Sequence, residues 1–159
     1  MDQAPLRVGL RVDVVADAVR FYGGLGFEPV GSVPGPDGEP VFAILRLAGS
    51  SLIVDAVEGM PFPDSDRERQ VRAGPRGLGV VVGLVVENVD ATHAYFVEQG
   101  CAITCEPMDE VWGDRVFSGI DPFGYEWECS HPIADVSAGD GLAAVRESWF
   151  GATDAGAGA

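Results

Sequence analysis

Short apolar runs with a period of two alternate with one longer stretch of helical period, and the whole arrangement occurs twice. Residues 6–12 (Leu-Arg-Val-Gly-Leu-Arg-Val) read as a strand. Val15, Ala18, Val19, Tyr22 and Leu25 then recur at helical spacing behind Asp13, which is placed to cap that helix. Gly23-Gly24 and Gly26 close it. Strands follow at 27–33, 41–47 and 51–56, separated by the turn Pro34-Gly35-Pro36-Asp37-Gly38 and the short link Ala48-Gly49-Ser50. The order is β-α-β-β-β.

The same pattern restarts at Val82-Gly83-Leu84-Val85-Val86-Glu87, 74 residues after Val8-Gly9-Leu10-Arg11-Val12-Asp13. At that offset Phe21 and Tyr22 fall on Tyr95 and Phe96, and Gly26 falls on Gly100. A strand at 79–86 and a helix at 89–99 lead to strands at 102–107, 115–120 and 125–130. Asp121-Pro122-Phe123-Gly124 forms the turn between the last two. A repeat of this length is no solenoid, which needs three or more short units. The fold class is therefore α+β: two tandem βαβββ modules whose curved mixed sheets enclose a cleft, plus a C-terminal helix. The first module spans 1–56 and the second 79–131, within a single structural domain. Between them, 57–78 is rich in Pro, Gly and charge and reads as a surface loop. In 132–159, Ser137 is placed to cap a helix running to Phe150, which Trp149-Phe150 anchors to the body, and the small residues after it fray.

Composition narrows the function classes. The chain of 159 residues is 47% apolar and carries a net charge of −15. That charge opposes contact with nucleic-acid phosphates and favours cationic ligands. No run reaches the ~18 apolar residues of a membrane span, and Met1 to Pro5 carries no leader-like pattern, so a cytoplasmic protein is expected. Cys101, Cys105 and Cys129 lack zinc-type spacing and read as small buried hydrophobes.

Alternation along each strand sorts the side chains into a face packed on the helices and a face lining the cleft. Val8, Leu10 and Val12 pack inward, which leaves Arg7, Gly9 and Arg11 for the cleft. Phe42, Ile44 and Arg46 join them. In the second module Val81, Gly83 and Val85 face the cleft with Val116, Ser118, Ile120, Glu126, Glu128 and Ser130. Gly9 and Gly83 recur at one position of both modules. They either leave room for a flat ligand or mark a bulge. Trp112, in a hairpin at the rim, either stacks on an aromatic ring or makes an ordinary rim or dimer contact.

Asp17-x-x-x-Phe21-Tyr22, Leu25-Gly26-Phe27-Glu28 and Asp121-Pro122-x-Gly124-x-x-Trp127-Glu128, set on the repeat, resemble the paired signature of the vicinal-oxygen-chelate superfamily. This is the group of glyoxalases, bleomycin-resistance proteins and extradiol dioxygenases. The resemblance covers roughly 6–131 and implies the paired-module fold and a homodimer. Metal-binding relatives carry a ligand three residues before the Leu of each first strand. Those positions are Arg7 and Val81 here, and neither side chain can ligate. Glu128 matches the family's retained glutamate, and its first-module counterpart is Val54 by offset or Asp55 by polarity. Two carboxylates fall short of the roughly three protein ligands a catalytic site needs. No metal, cofactor or catalytic residue is therefore expected, and Arg7 is placed to pair with Glu128 or Asp55. His93 falls mid-helix and His131 beyond the last strand. The resemblance implies a binding protein that sequesters a flat aromatic, DNA-binding antibiotic and so confers resistance or self-protection. Its ligand-binding residues would be Arg7, Gly9, Phe42, Ile44, Arg46, Asp55, Val81, Gly83, Trp112, Val116, Ser118, Glu126 and Glu128. The alternatives are a divergent metal-dependent lyase, isomerase or dioxygenase built on Glu128, and a carrier in natural-product biosynthesis.

Overall fold

A computed structural model describes residues 4–58 and 62–151. The readings of the first three residues, of 59–61 and of the tail beyond 151 lie outside the described residues. The chain divides into two compact units, Met1–Leu78 and Gly79–Ala159. Unit one contains β1 (Arg7–Val12), α1 (Val15–Gly24), β2 (Glu28–Pro34), β3 (Pro40–Leu47), β4 (Ser50–Ala56) and α2 (Ser65–Ala73). Unit two contains β5 (Val81–Val85), α3 (Val89–Glu98), β6 (Ala102–Asp109), β7 (Asp114–Ile120), β8 (Glu126–Pro132) and α4 (Ala138–Phe150). The sheets share one topology, β1-β4-β3-β2 and β5-β8-β7-β6, in which the first strand pairs in parallel with the last and the remaining pairs are antiparallel. This is the expected tandem βαβββ arrangement.

Each sheet buries one face under its helix. In unit one Leu10, Val12, Ala43, Leu45, Leu52 and Val54 pack with Val15, Ala18, Phe21 and Tyr22 of α1, all at most 4% exposed. In unit two Phe117, Trp127 and Cys129 are fully buried with Phe96 of α3, whose ring stands edge-on to Phe117 at 5.2 Å. Gly119 belongs to this packing, since a Cβ there would lie 2.9 Å from the Phe96 ring.

The turn before β8 is organised by one buried carboxylate. Asp121, 4% exposed, accepts hydrogen bonds from the backbone N–H groups of Phe123 and Tyr125 (both 2.9 Å) and from Trp127 Nε1 (2.8 Å). Gly124 closes the turn at φ +93°, a left-handed conformation that favours glycine. The Asp-Pro-x-Gly-x-x-Trp motif is thus a folding device: the carboxylate satisfies two turn amides and fixes an indole that would otherwise bury an unpaired N–H.

Several local expectations are corrected. Asp13 does not cap α1; its N-cap is Val14, with no side-chain bond, and Asp13 instead pairs with Arg76 Nη2 at 3.1 Å. The linker is not all loop. Asp64 accepts from the Arg67 N–H and starts α2, whose exposed surface carries the Glu68–Arg72 pair at 2.9 Å. His131 lies within β8 rather than beyond it, opposite Arg115, and its Nδ1 donates to the Val86 carbonyl at 2.7 Å. Ser137 does cap α4, accepting from the Asp140 N–H at 3.2 Å. Trp149 and Phe150 are not an anchor: they are 67% and 59% exposed and stack edge-on against each other. The helix is seated instead at its first turn, where a Cβ on Gly141 would meet Trp112 Cβ at 3.3 Å.

Asp121→Ala should cost about 3 kcal/mol or more, because it leaves a buried indole N–H and turn amides without their acceptor. Urea denaturation measures the loss, and Asp121→Asn should fall between the variant and the native chain.

Candidate functional site

The face of each sheet away from its helix carries the chemistry, and the strand register orders it into transverse rows. In unit one the middle row is Gly9, Ile53, Ile44 and Gly31. On one side lies Arg11, Asp55, Phe42 and Val33; on the other, Arg7, Ser51, Arg46 and Glu28. In unit two the middle row is Gly83, Glu128, Ser118 and Cys105, flanked by Val85, Ser130, Val116 and Met108 and by Val81, Glu126, Ile120 and Ala102. A bulge in β6 brings Thr104 onto Glu126, its hydroxyl donating to Oε1 at 3.2 Å.

All the candidate strand residues therefore sit on the sheet faces away from the helices, where Asp55 and Val116 are nonetheless buried, at 9% and 5% exposure. Arg7, Gly9, Phe42, Ile44, Arg46 and Asp55 share the face of unit one. Val81, Gly83, Val116, Ser118, Glu126 and Glu128 share that of unit two. Trp112 lies in the β6–β7 turn, half-buried, with α4 seated beside it. At both Gly9 and Gly83 the register runs without interruption, and a Cβ would meet nothing within 4 Å. Neither glycine marks a bulge or a close backbone approach; each is exposed and leaves its place on the sheet face without a side chain.

The register also corrects the comparison between modules. Gly9 lies opposite Ile53 and Gly83 opposite Glu128, so the counterpart of Glu128 is Ile53, neither Val54 nor Asp55. The offset is 74 residues in the first strands and 75 in the last, because the turns preceding β4 and β8 differ in length. The four family ligand positions are thus Arg7, Ile53, Val81 and Glu128, and one of the four has a donor atom able to bind a cation. Among the described residues no three His, Cys, Asp or Glu side chains gather as a metal-binding group. This donor set does not fit a catalytic divalent metal, which needs about three protein ligands.

Asp55 is paired, but with Arg11 and not Arg7. Arg11 is its direct register partner, and Nε lies 3.6 Å from Oδ2, whereas Arg7 is opposite Ser51 at the far end of the strand. The guanidinium of Arg11 also lies 4.9 Å from the centre of the Phe62 ring. Asp55 is 9% exposed, and burial raises its pKa above the ordinary 3.8, with the charge of Arg11 pulling the other way. Arg11 belongs to the site as much as Arg7 does; the signal was its position two residues past Gly9. Phe62 had no such signal, since it lies in a segment without periodicity.

Neither Cys129 nor Cys101 is activated as a thiolate. Burial, reinforced by the nearby Glu128, pushes the Cys129 thiol up to about 12, and burial with Asp121 pushes Cys101 to about 11. Unit two is strongly acidic: it holds 14 of the 25 Asp and Glu residues and 2 of the 10 basic ones, leaving its open face with Glu126 and Glu128 and no basic residue.

Asp55 carries a pH signature. An acid whose folded pKa is raised binds its proton more tightly in the folded state. Its contribution is full below the unfolded value near 3.8 and is lost as pH rises through the folded value. Asp55→Asn should therefore remove a fall in stability on going upward from about pH 4. Urea denaturation of both proteins from pH 4 to 7 reads the difference in slope.

The described geometry has counterparts among known proteins. A protein of unassigned function from Mycobacterium bovis is 33% identical over 151 residues, which cover 89% of this chain and 92% of the relative. The solved structure of TioX from Micromonospora sp. ML1 matches with a TM-score of 0.59 at 23% identity, covering 80% of this chain and 97% of that one. TnmS3, an antibiotic binding protein from Streptomyces sp. CB03234, matches with a TM-score of 0.55 at 25% identity, over 79% and 93% of the two chains. The family model of the Glyoxalase/Bleomycin resistance protein/Dioxygenase superfamily matches residues 5–129. With the paired βαβββ units and the Asp121–Trp127 motif, that match makes this chain a member of the superfamily.

Proposed function

We propose that this chain is a non-catalytic binding protein that sequesters a flat aromatic, DNA-binding antibiotic, acting without metal or cofactor as a homodimer in the cytoplasm. The observation that carries the reading is the pair of exposed glycines, Gly9 and Gly83, that leave bare backbone on the sheet faces. Each is open beyond 4 Å in an uninterrupted strand, at the same place of both modules. Ligand sites are concave and mostly apolar, with a few polar groups that orient the ligand. On the face of unit one Ile44, Ile53 and Phe42 supply an apolar floor. Glu126 and Glu128 supply negative charge for a cationic substituent. The likeness to TnmS3 supports an antibiotic as the ligand class. The poor fit of Arg7, Ile53 and Val81 to a metal favours binding over metal-dependent turnover. No helix among the described residues is long and apolar enough to cross a membrane.

A thermal-shift screen of bleomycin, mitomycin and quinoline-bearing peptide antibiotics tests this. A ligand at a hundredfold excess over its Kd stabilises the folded state by about 2.7 kcal/mol, which raises Tm by about 5–10 °C for a chain of this size. The bound drug should be recovered unchanged, and protection of a sensitive host should scale with the amount of protein. Gly9→Val and Gly83→Val should abolish the shift while leaving stability within ~0.5 kcal/mol of native, because the new side chains fill open space. No shift with any flat aromatic antibiotic, or recovery of a modified drug, overturns the proposal.

A further inference from the structure

The geometry points to a subsite for a planar aromatic ring on the guanidinium of Arg11, a place that the chain's own Phe62 fills in the absence of ligand. This inference rests on the reading that the open faces bind a flat aromatic molecule, and it names a side chain that recognises the ring. Arg11 stands in the row beside Gly9, on the same strand and face. Its position is fixed from below: Nε lies 3.6 Å from the carboxylate of Asp55, which is itself 9% exposed. A guanidinium held in this way presents a flat cationic surface, and a π-face is what such a surface binds. Phe62 already exploits it at 4.9 Å, within the ~6 Å over which the attraction operates.

Phe62 is no part of either sheet. It lies beyond the end of β4, in the stretch between Ala56 and the Asp64 cap of α2. Its backbone belongs to no strand or helix, and its ring is half-buried. Arg11 by contrast is held by register with Asp55 in the parallel β1–β4 pair. The fixed member of the contact is therefore the cation and the exchangeable member is the ring. An incoming aromatic plane takes the place of Phe62, and a hydrogen-bond donor at its edge can meet Asp55.

Quinoline serves as the probe, with binding followed by titration of isotope-labelled protein through the backbone amide resonances of β1 and β4, which every variant retains. Phe62→Ala removes the competitor and should bind quinoline about two- to fivefold more tightly than the native chain, the range expected for loss of one partly exposed cation–π contact. Phe62→Leu should show the same gain and serves where the alanine variant does not fold. Adding Arg11→Met to either variant should erase the gain. Equal or weaker binding by the Phe62 variants, no binding by any protein, or a gain that survives Arg11→Met overturns the inference. The two readings fail separately. Antibiotic stabilisation of the native chain without a quinoline gain sinks this subsite alone. A quinoline gain dependent on Arg11 without antibiotic stabilisation sinks the sequestration function alone.

Discussion

The Asp121 carboxylate is the point on which the second sheet depends. It is taken out of water, which is costly for a charge unless hydrogen bonds replace the lost solvation. Two turn amides and the Trp127 indole supply them. The indole bond couples a turn to the middle of the following strand. With Trp127 locked toward α3, period-two alternation leaves Glu126, Glu128 and Ser130 no choice of face. A slip of one residue would break the indole bond and drive two glutamates under the helix. The acidic open face of unit two is therefore a consequence of an interaction on its other side.

The sheets, their helices and the faces of their strands were legible because one-sided burial forces a periodic code. Val8, Leu10 and Val12 against Arg7, Gly9 and Arg11 can be read in only one way once a helix covers one face. What escaped depended on interactions without a period. Asp13 has the side chain of a helix cap, yet Arg76, far along the chain, holds it elsewhere. The linker helix α2 buries nothing, so no apolar stripe announced it; its signals were the Asp64 cap and the alternating charges. The displaced partner of Glu128 was hidden because an offset measured on first strands was carried across turns of unequal length. Pairing, not spacing, identifies Ile53. The charge beside Asp55 is assigned to Arg11 over Arg7 by the same parallel register.

The two modules keep one backbone plan and have parted in chemistry. The middle rows begin with the same glycine and continue as Ile53, Ile44 and Gly31 in one unit and as Glu128, Ser118 and Cys105 in the other. One row is suited to apolar contact, the other to hydrogen bonds and positive charge. Each unit therefore offers its own surface chemistry on the same backbone plan.

Magnitudes set a further condition on the proposed binding. A flat aromatic system that buries one face of about 200 Å² gains about 5 kcal/mol at ~25 cal/mol per Å². Micromolar affinity requires about 8 kcal/mol, after the loss of translational and rotational freedom has also been offset. One open sheet face is therefore not enough for a sequestering protein, which must hold its drug below the concentration at which the drug's target responds. The ligand has to be covered on its second face by a side chain or surface beyond the strands it lies on. Ordered pairs such as Arg11 with Asp55 lower that cost, because a cation already immobilised by its partner loses little freedom when a ring stacks on it. On this reading the value of the ion pair lies less in the stability of the fold than in presenting a rigid flat charge to the ligand.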